Sequence, residues 1–204
     1  MATKEKEILM YQEAEPAWEV ARLFPEQGQW NEEEYLALDI NKLVEFSHGR
    51  LEVLPMPTHA HQMIAAFLYR LLEQFVSARA LGWVLFAPIR IQLWPGKIRE
   101  PDLVFMFRDH QKRVGNCFWT GADLVMEVVI PDDRQRDTVT KRREYAQAGI
   151  PEYWIVDPQD QQITVLALAG ERYAVHGQFG MDETASSRLL DGFQVSVTGV
   201  FTLE

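Results

Sequence analysis

The chain holds one cysteine, Cys117, in 204 residues, which excludes an internal disulfide and any cysteine-built zinc site. Long apolar runs are missing too. None approaches the roughly 18 residues that a membrane-crossing helix needs. The opening Met1–Glu7 is polar and lacks the apolar stretch of a secretory signal. The expectation is a cytoplasmic protein with no membrane partner. No Gly-x-Gly-x-x-Gly, Walker A loop, His-Glu-x-x-His, Gly-x-Ser-x-Gly elbow or Cys-x-x-Cys occurs, which sets aside dinucleotide enzymes, P-loop ATPases, zincins and typical serine hydrolases. Bases are scarce as well. Lys and Arg number 20 against 30 Asp and Glu, a formal net charge of -10. A large non-specific phosphate footprint does not suit such a chain, because each phosphate contact needs a local cation.

The acidity is uneven. Residues 1–40 hold ten acids and three bases, or -7, whereas residues 90–143 hold eleven bases and eight acids, or +3. A focused nucleic-acid site therefore stays open on an acidic protein. Hydrophobic residues at 47% and charged residues at 25% are those of an ordinary globular domain, and the length suits one domain. Residues 1–30 lack clean periodicity and are expected to form an N-terminal extension.

From residue 31 the elements are legible. Asn31 caps a short helix whose first turn is acidic, where the macrodipole favours carboxylates. Ser47-His-Gly49 marks the turn of a hairpin made by Lys42–Phe46 and Arg50–Leu54. Thr58 caps a long helix running to about Arg79, with apolar residues from Met63 to Val76 at helical spacing. Trp83–Phe86, Ile89–Leu93 and Leu103–Phe107 are short β-like runs. Asp123–Ile130 is nearly all apolar and suits a central strand buried on both faces. A helix from about Asp137 to Ala148 stops at Gly149-Ile-Pro151. Tyr153–Val156 is another buried strand, and Ile163–Leu168 with Arg172–Val175 forms a closing C-terminal β-hairpin. The order gives an α/β fold built on one mixed central sheet flanked by helices.

Two carboxylates stand in awkward places. Glu127 lies inside Leu124-Val-Met-Glu-Val-Val-Ile130, where an unpaired charge is costly and calls for a cation, a metal or a raised pKa. Asp102 opens the apolar run Leu103-Val-Phe-Met-Phe107. Taken singly, a protonated or Arg-paired structural glutamate and an ordinary strand-entry aspartate are the plainer explanations. Together they form an oxygen-ligand pair of the kind that suits Mg²⁺ or Mn²⁺. Lys141, on the helix that follows Glu127, is placed to reach back over the strand end. A solvated lysine beside Arg142 and Arg143 is the plainer explanation. Arg134, Arg136, Arg142 and Arg143 suit phosphate contacts and a solvated surface equally.

Pro101-Asp102 and Glu127-Val-Val129, with 24 residues between the carboxylates, resemble the PD-(D/E)xK nuclease pattern. Gly121–Val129, followed by Lys141-Arg-Arg-Glu-Tyr-Ala-Gln-Ala-Gly-Ile-Pro-Glu-Tyr-Trp-Ile-Val-Asp157, resembles the Uma-type family of putative restriction endonucleases within that superfamily. Glu33–Leu38, Glu45–Gly49, Phe86–Arg90 and Leu189–Phe193 match as well, so the likeness spans about residues 31–204. The resemblance implies a restriction-endonuclease-like core with Mg²⁺ (or Mn²⁺) held by Asp102, Glu127 and the carbonyl of Val128. It also implies a supporting carboxylate at Glu45 and an imidazole at His61, for which a polar first-turn residue on a mostly apolar helix is the plainer explanation. Two positions depart from the pattern. Val129 stands where the strand lysine is usual, which leaves Lys141 as the substitute. Ile130-Pro131 replaces Ser-Pro. The implied activity is Mg-dependent DNA endonuclease hydrolysis on duplex DNA, by a homodimer that cuts both strands. The alternative is a catalytically inactive descendant serving as a nucleic-acid or protein interaction module.

Overall fold

The structure, a computed structural model, describes residues 24–40 and 42–202. Most of the expected N-terminal extension, with Trp18, Val20 and Leu23, lies outside the described residues. Phe24 stacks on Trp30 with ring centroids 5.8 Å apart. Helix α1 (Glu32–Leu36) starts as expected. Asn31 accepts from the Glu34 N–H while Glu34 reaches back to the Asn31 N–H, a complete capping box. Strands β1 (Val44–Ser47) and β2 (Arg50–Val53) pair through His48 and Gly49, both at positive φ. A Cβ at Gly49 would come within 2.5 Å of the Gly28 carbonyl oxygen, so only glycine fits that turn.

Helix α2 (His59–Ala78) is capped by Thr58, and it buries Ile64, Leu68, Leu72 and Val76 along one face. That stripe packs on one side of a six-stranded sheet ordered β11 (Arg172–Phe179), β10 (Gln162–Ala169), β9 (Glu152–Asp157), β8 (Leu124–Val128), β6 (Leu103–Phe107), β3 (Gly82–Phe86). The sheet is mixed. Its β8–β9 pair is parallel and its other pairs are antiparallel. Parallel neighbours need a crossover, and residues 129–151 supply it.

The β-meander does not stay in one sheet, contrary to expectation. Strands β4 (Ile91–Trp94) and β5 (Lys97–Arg99) join the N-terminal hairpin and β7 (Trp119–Thr120) in a second sheet, ordered β2-β1-β5-β4-β7. The chain passes from one sheet to the other at Glu100-Pro101-Asp102, where proline has no N–H for a ladder bond. The sequence showed the strands as runs, but which sheet each joins depends on partners distant in the chain. Beyond the expected hairpin β10–β11, the small ribbon β12 (Thr184–Ser186) with β13 (Gln194–Ser196) and a short helix (Val197–Phe201) complete the first core. Among the described residues, no helix is long and apolar enough to cross a membrane.

Leu68 is wholly buried where α2 meets the sheet. Leu68→Ala is expected to cost about 3 kcal/mol and to lower the melting temperature by roughly 10 °C, measured by thermal unfolding followed by circular dichroism.

Candidate active site

Side chains alternate along β8. Leu124, Met126 and Val128 face the α2 core, while Val125 and Val129 face the second core. Glu127 shares the second face. Strand β6 pairs with β8 as Leu103↔Met126, and continuing that register sets Asp102 opposite Glu127. Like charges directly across a ladder repel, so this sheet end needs positive charge.

Each carboxylate has one oxygen committed to the protein. Asp102 Oδ2 accepts the Val128 N–H at 2.7 Å and lies 3.2 Å from His61 Nε2. Glu127 Oε1 accepts the Tyr145 hydroxyl at 2.6 Å and lies 2.8 Å from Lys141 Nζ. The second oxygen of each has no hydrogen-bond partner among the described residues. Asp102, Glu127, Val128, His61, Asp137 and Lys141 line one cavity of about 40 Å³, room for a few water-sized groups.

Lys141 comes from the crossover. The helix expected from Asp137 opens instead as a π-helical segment, Arg136–Lys141, and becomes α-helical only in α3 (Arg142–Gln147). The wide turn places Asp137 and Lys141 together on the Glu127 side, and such turns recur at functional sites. Lys141 Nζ is 3.2 Å from Asp137 Oδ1 and 3.6 Å from Glu45 Oε1, and its side chain is only 4% exposed. Asp137 Oδ1 makes no hydrogen bond. Burial disfavours the ammonium, but Glu127, Glu45 and Asp137 outweigh it and raise the lysine's pKa. Burial also drives Glu127 up, to about 8. Lys141 opposes that rise, and the charges of Asp137 and Asp102 add to it. For His61, burial disfavours the imidazolium, and Asp102 with the Val128 carbonyl reverses this and raises its pKa.

Behind the cavity stands a second ring of charge. Glu45, wholly buried in β1, accepts the Glu100 N–H at 3.1 Å and pairs with Arg99 and Arg136. Arg99 also holds Glu52 at 2.6 Å and Glu144 through two bonds at 2.8 and 3.1 Å. Lys97 Nζ meets Glu144 at 2.8 Å, and Arg136 meets Glu52 at 3.0 Å. The assembly thus sets six carboxylates (Glu45, Glu52, Asp102, Glu127, Asp137, Glu144) against four permanent cations (Lys97, Arg99, Arg136, Lys141). Carboxylates thus outnumber cations, and burial answers part of that imbalance by driving Glu127 and Asp137 towards protonation, with His61 beside Asp102 as a further titratable partner.

The structure brings Asp102, Glu127, Lys141, His61 and Val128 to one cavity. Glu45 sits behind it and touches Lys141 rather than the cavity. The loop arginines divide. Arg136 belongs to the buried ring, Arg134 pairs with Asp157 and Asp160, and Arg143 is exposed. Asp137, Arg99, Glu144, Lys97 and the Tyr145 hydroxyl join the site without being singled out by the sequence pattern. The i,i+4 spacing of Asp137 and Lys141 was a usable signal, and so was the charged tripeptide edge Lys97-Ile-Arg-Glu100 between two apolar strands. Among the described residues, no three or more His, Cys, Asp or Glu are grouped to hold a metal ion. The oxygen donors at the cavity are the carboxylates of Asp102, Glu127 and Asp137, the last held beside Lys141. Mg²⁺ takes such short sets because it keeps several of its waters.

The model of the Uma2 family, described as "Putative restriction endonuclease", matches residues 32–198. No curated protein matches the chain. Among solved structures, one described as "a putative nuclease belonging to DUF820", from Anabaena variabilis ATCC 29413, superposes with a TM-score of 0.68 at 18% identity. The match covers 84% of this chain and 97% of that one. At that identity the likeness is one of fold.

Glu45 gives the site a pH signature. Burial alone would raise its pKa, but Lys141, Arg99 and Arg136 hold it down to about 2, against 4.5 for the free group. A depressed carboxyl stabilises the folded state above pH 4.5 and loses that contribution as pH falls towards 2. The contribution is of the order of 3 kcal/mol. Urea unfolding of the wild type between pH 7 and pH 2 is expected to show this acid limb. Glu45→Gln, less stable at pH 7, is expected to lack that part of the decline.

Proposed function

Because the chain belongs to the Uma2 family of restriction-endonuclease-like proteins, we propose that it is a divalent-metal-dependent DNA endonuclease with Asp102, Glu127 and Lys141 at its centre. One observation carries the reading. Lys141 Nζ lies 2.8 Å from Glu127 in the cavity that Asp102 lines, so the cation absent from the strand at Val129 arrives from the crossover.

Asp102, Glu127 and the Val128 carbonyl are the residues that would hold Mg²⁺ or Mn²⁺, among carboxylates that outnumber the cations around them. The ion, when bound, supplies Lewis-acid charge to the phosphate and lowers the pKa of a water. The remaining work falls to the chain. Tyr145 fixes the rotamer of Glu127 by its short hydrogen bond, and the Val128 N–H and His61 fix Asp102. Lys141 presents a charged ammonium that is itself buried, where it steadies the negative charge that develops on the phosphodiester. Glu45 and Asp137 hold that ammonium in place from behind. Duplex DNA is the proposed substrate. Two copies of the chain, related by a two-fold axis, would present one site to each strand.

The second reading, a non-catalytic interaction module, draws on Val129 and on the ion pair that already occupies Glu127. Calorimetric titration with Mn²⁺ near pH 7.5, with and without duplex DNA, separates the two. Binding by the wild type that is lost in Glu127→Ala favours the nuclease, and absence of binding under both conditions selects the module. In a plasmid-nicking assay, Asp102→Ala and Glu127→Ala are expected to abolish cleavage. Lys141→Ala is expected to slow it by roughly 10²- to 10³-fold, the usual cost of one electrostatic stabiliser.

A further inference from the structure

A second cavity, of about 200 Å³, adjoins the first and shares His61 and Asp102 with it. Its floor is one face of α2. Gln62, Ala65, Ala66, Tyr69 and Arg70 recur at i, i+3, i+4, i+7 and i+8. Its far wall is Phe86, at the end of β3, the edge strand of the larger sheet. Phe86 is 54% exposed, and its ring meets Tyr69 edge to face at 4.7 Å. The residue after it, Ala87, donates its N–H to the Asp102 carbonyl at 3.0 Å, so this aromatic wall is tied to the backbone of the candidate metal ligand. His61 is nine-tenths buried, and its Nδ1 has no hydrogen-bond partner.

The chemistry of this pocket is specific. Two alanines leave a slot beside a flat aromatic face, an amide and a guanidinium stand at its outer rim, and its inner end opens on Asp102. A planar heteroaromatic ring suits such a slot. It can stack on phenylalanine, and its polar edge can take hydrogen bonds from glutamine and arginine. A stacked base pair inside a duplex offers no free face to Phe86, so the ring must first leave the stack, at the cost that base-extruding enzymes meet.

We propose that this pocket receives one unstacked nucleobase of the strand being cut, the base next to the phosphate that Asp102 and Glu127 address. The proposal rests on the nuclease reading and deepens it. The preferred duplex is one whose strand is unpaired at the cut, as at a mismatch or a loop, and a single strand is bound through the same contact.

Phe86→Ala and Ala66→Leu test it, the first removing the stacking face and the second filling the slot. Both positions lie at the surface, and neither belongs to the carboxylate, lysine or metal machinery. Binding is followed with oligonucleotides carrying 2-aminopurine, single-stranded and in matched or mismatched duplexes, in EDTA and again with Ca²⁺. The wild type is expected to bind single strands more tightly than matched duplex and to raise the emission of the probe, which brightens when it leaves its neighbouring bases. Each variant is expected to lose about tenfold in single-strand affinity and to lose that rise. Wild-type affinity and emission rise in both variants, with cleavage intact, overturn the pocket and leave the nuclease reading standing. No binding of any oligonucleotide by the wild type overturns both. A wild-type dimer that Phe86→Ala dissociates, with nucleic-acid binding unchanged, assigns the patch to a second copy of the chain and overturns the pocket.

Discussion

More carboxylates than cations are buried at the seam between the two sheets, and the architecture around them makes that tolerable. Asp102 and Glu127 stand across a ladder from one another, an arrangement that a sheet end does not support without cations. A buried charge left unpaired costs several kcal/mol, so each arginine and lysine here has a fixed post. Arg99 alone joins β1, β2 and α3 through Glu45, Glu52 and Glu144, and so pins the smaller sheet to the crossover. Burial and carboxylate neighbours together keep Glu127 easily protonated, as expected of a site that is short of positive charge.

The larger sheet accounts for the position of the carboxylates and the crossover for the position of the lysine. Antiparallel pairing of β6 with β8 brings two acids from distant parts of the chain into one register. Parallel pairing of β8 with β9 forces a return segment over the strand ends, and that segment carries Asp137 and Lys141. The smaller sheet contributes no residue with an open oxygen at the cavity. Its Glu45 supports from behind, where its contacts govern the lysine's place and charge.

Much of this was legible in the residues. The apolar run around Glu127, the Asn31 cap, the α2 stripe and the Gly149 stop are local signals, and the structure carries them. The two sheets were not legible as two, because β4 and β5 look like members of a meander until their partnership with β1 is known. Glu45 shows no periodic signature, since Val44 and Phe46 on either side of it are also buried and the strand has no solvent face. Arg136 and Asp137 fall in the polar stretch from Asp132 to Thr140, which reads as surface. Nothing in that stretch signals a π-helical turn, because its partners lie elsewhere in the chain: the Tyr153 hydroxyl donates to the Asp137 carbonyl at 3.0 Å, and the ion pairs above hold its charged side chains.

A π-helical turn is an α-helical turn with one residue more. Removing a single residue from Arg136–Lys141 would let the segment relax to regular helix. The wide turn absorbs its extra residue within one turn, so the helix beyond the deletion would keep its facing rather than swing by the roughly 100° that a deletion in a regular helix brings. The crossover can therefore shorten by one residue at this turn and still present a lysine to Glu127.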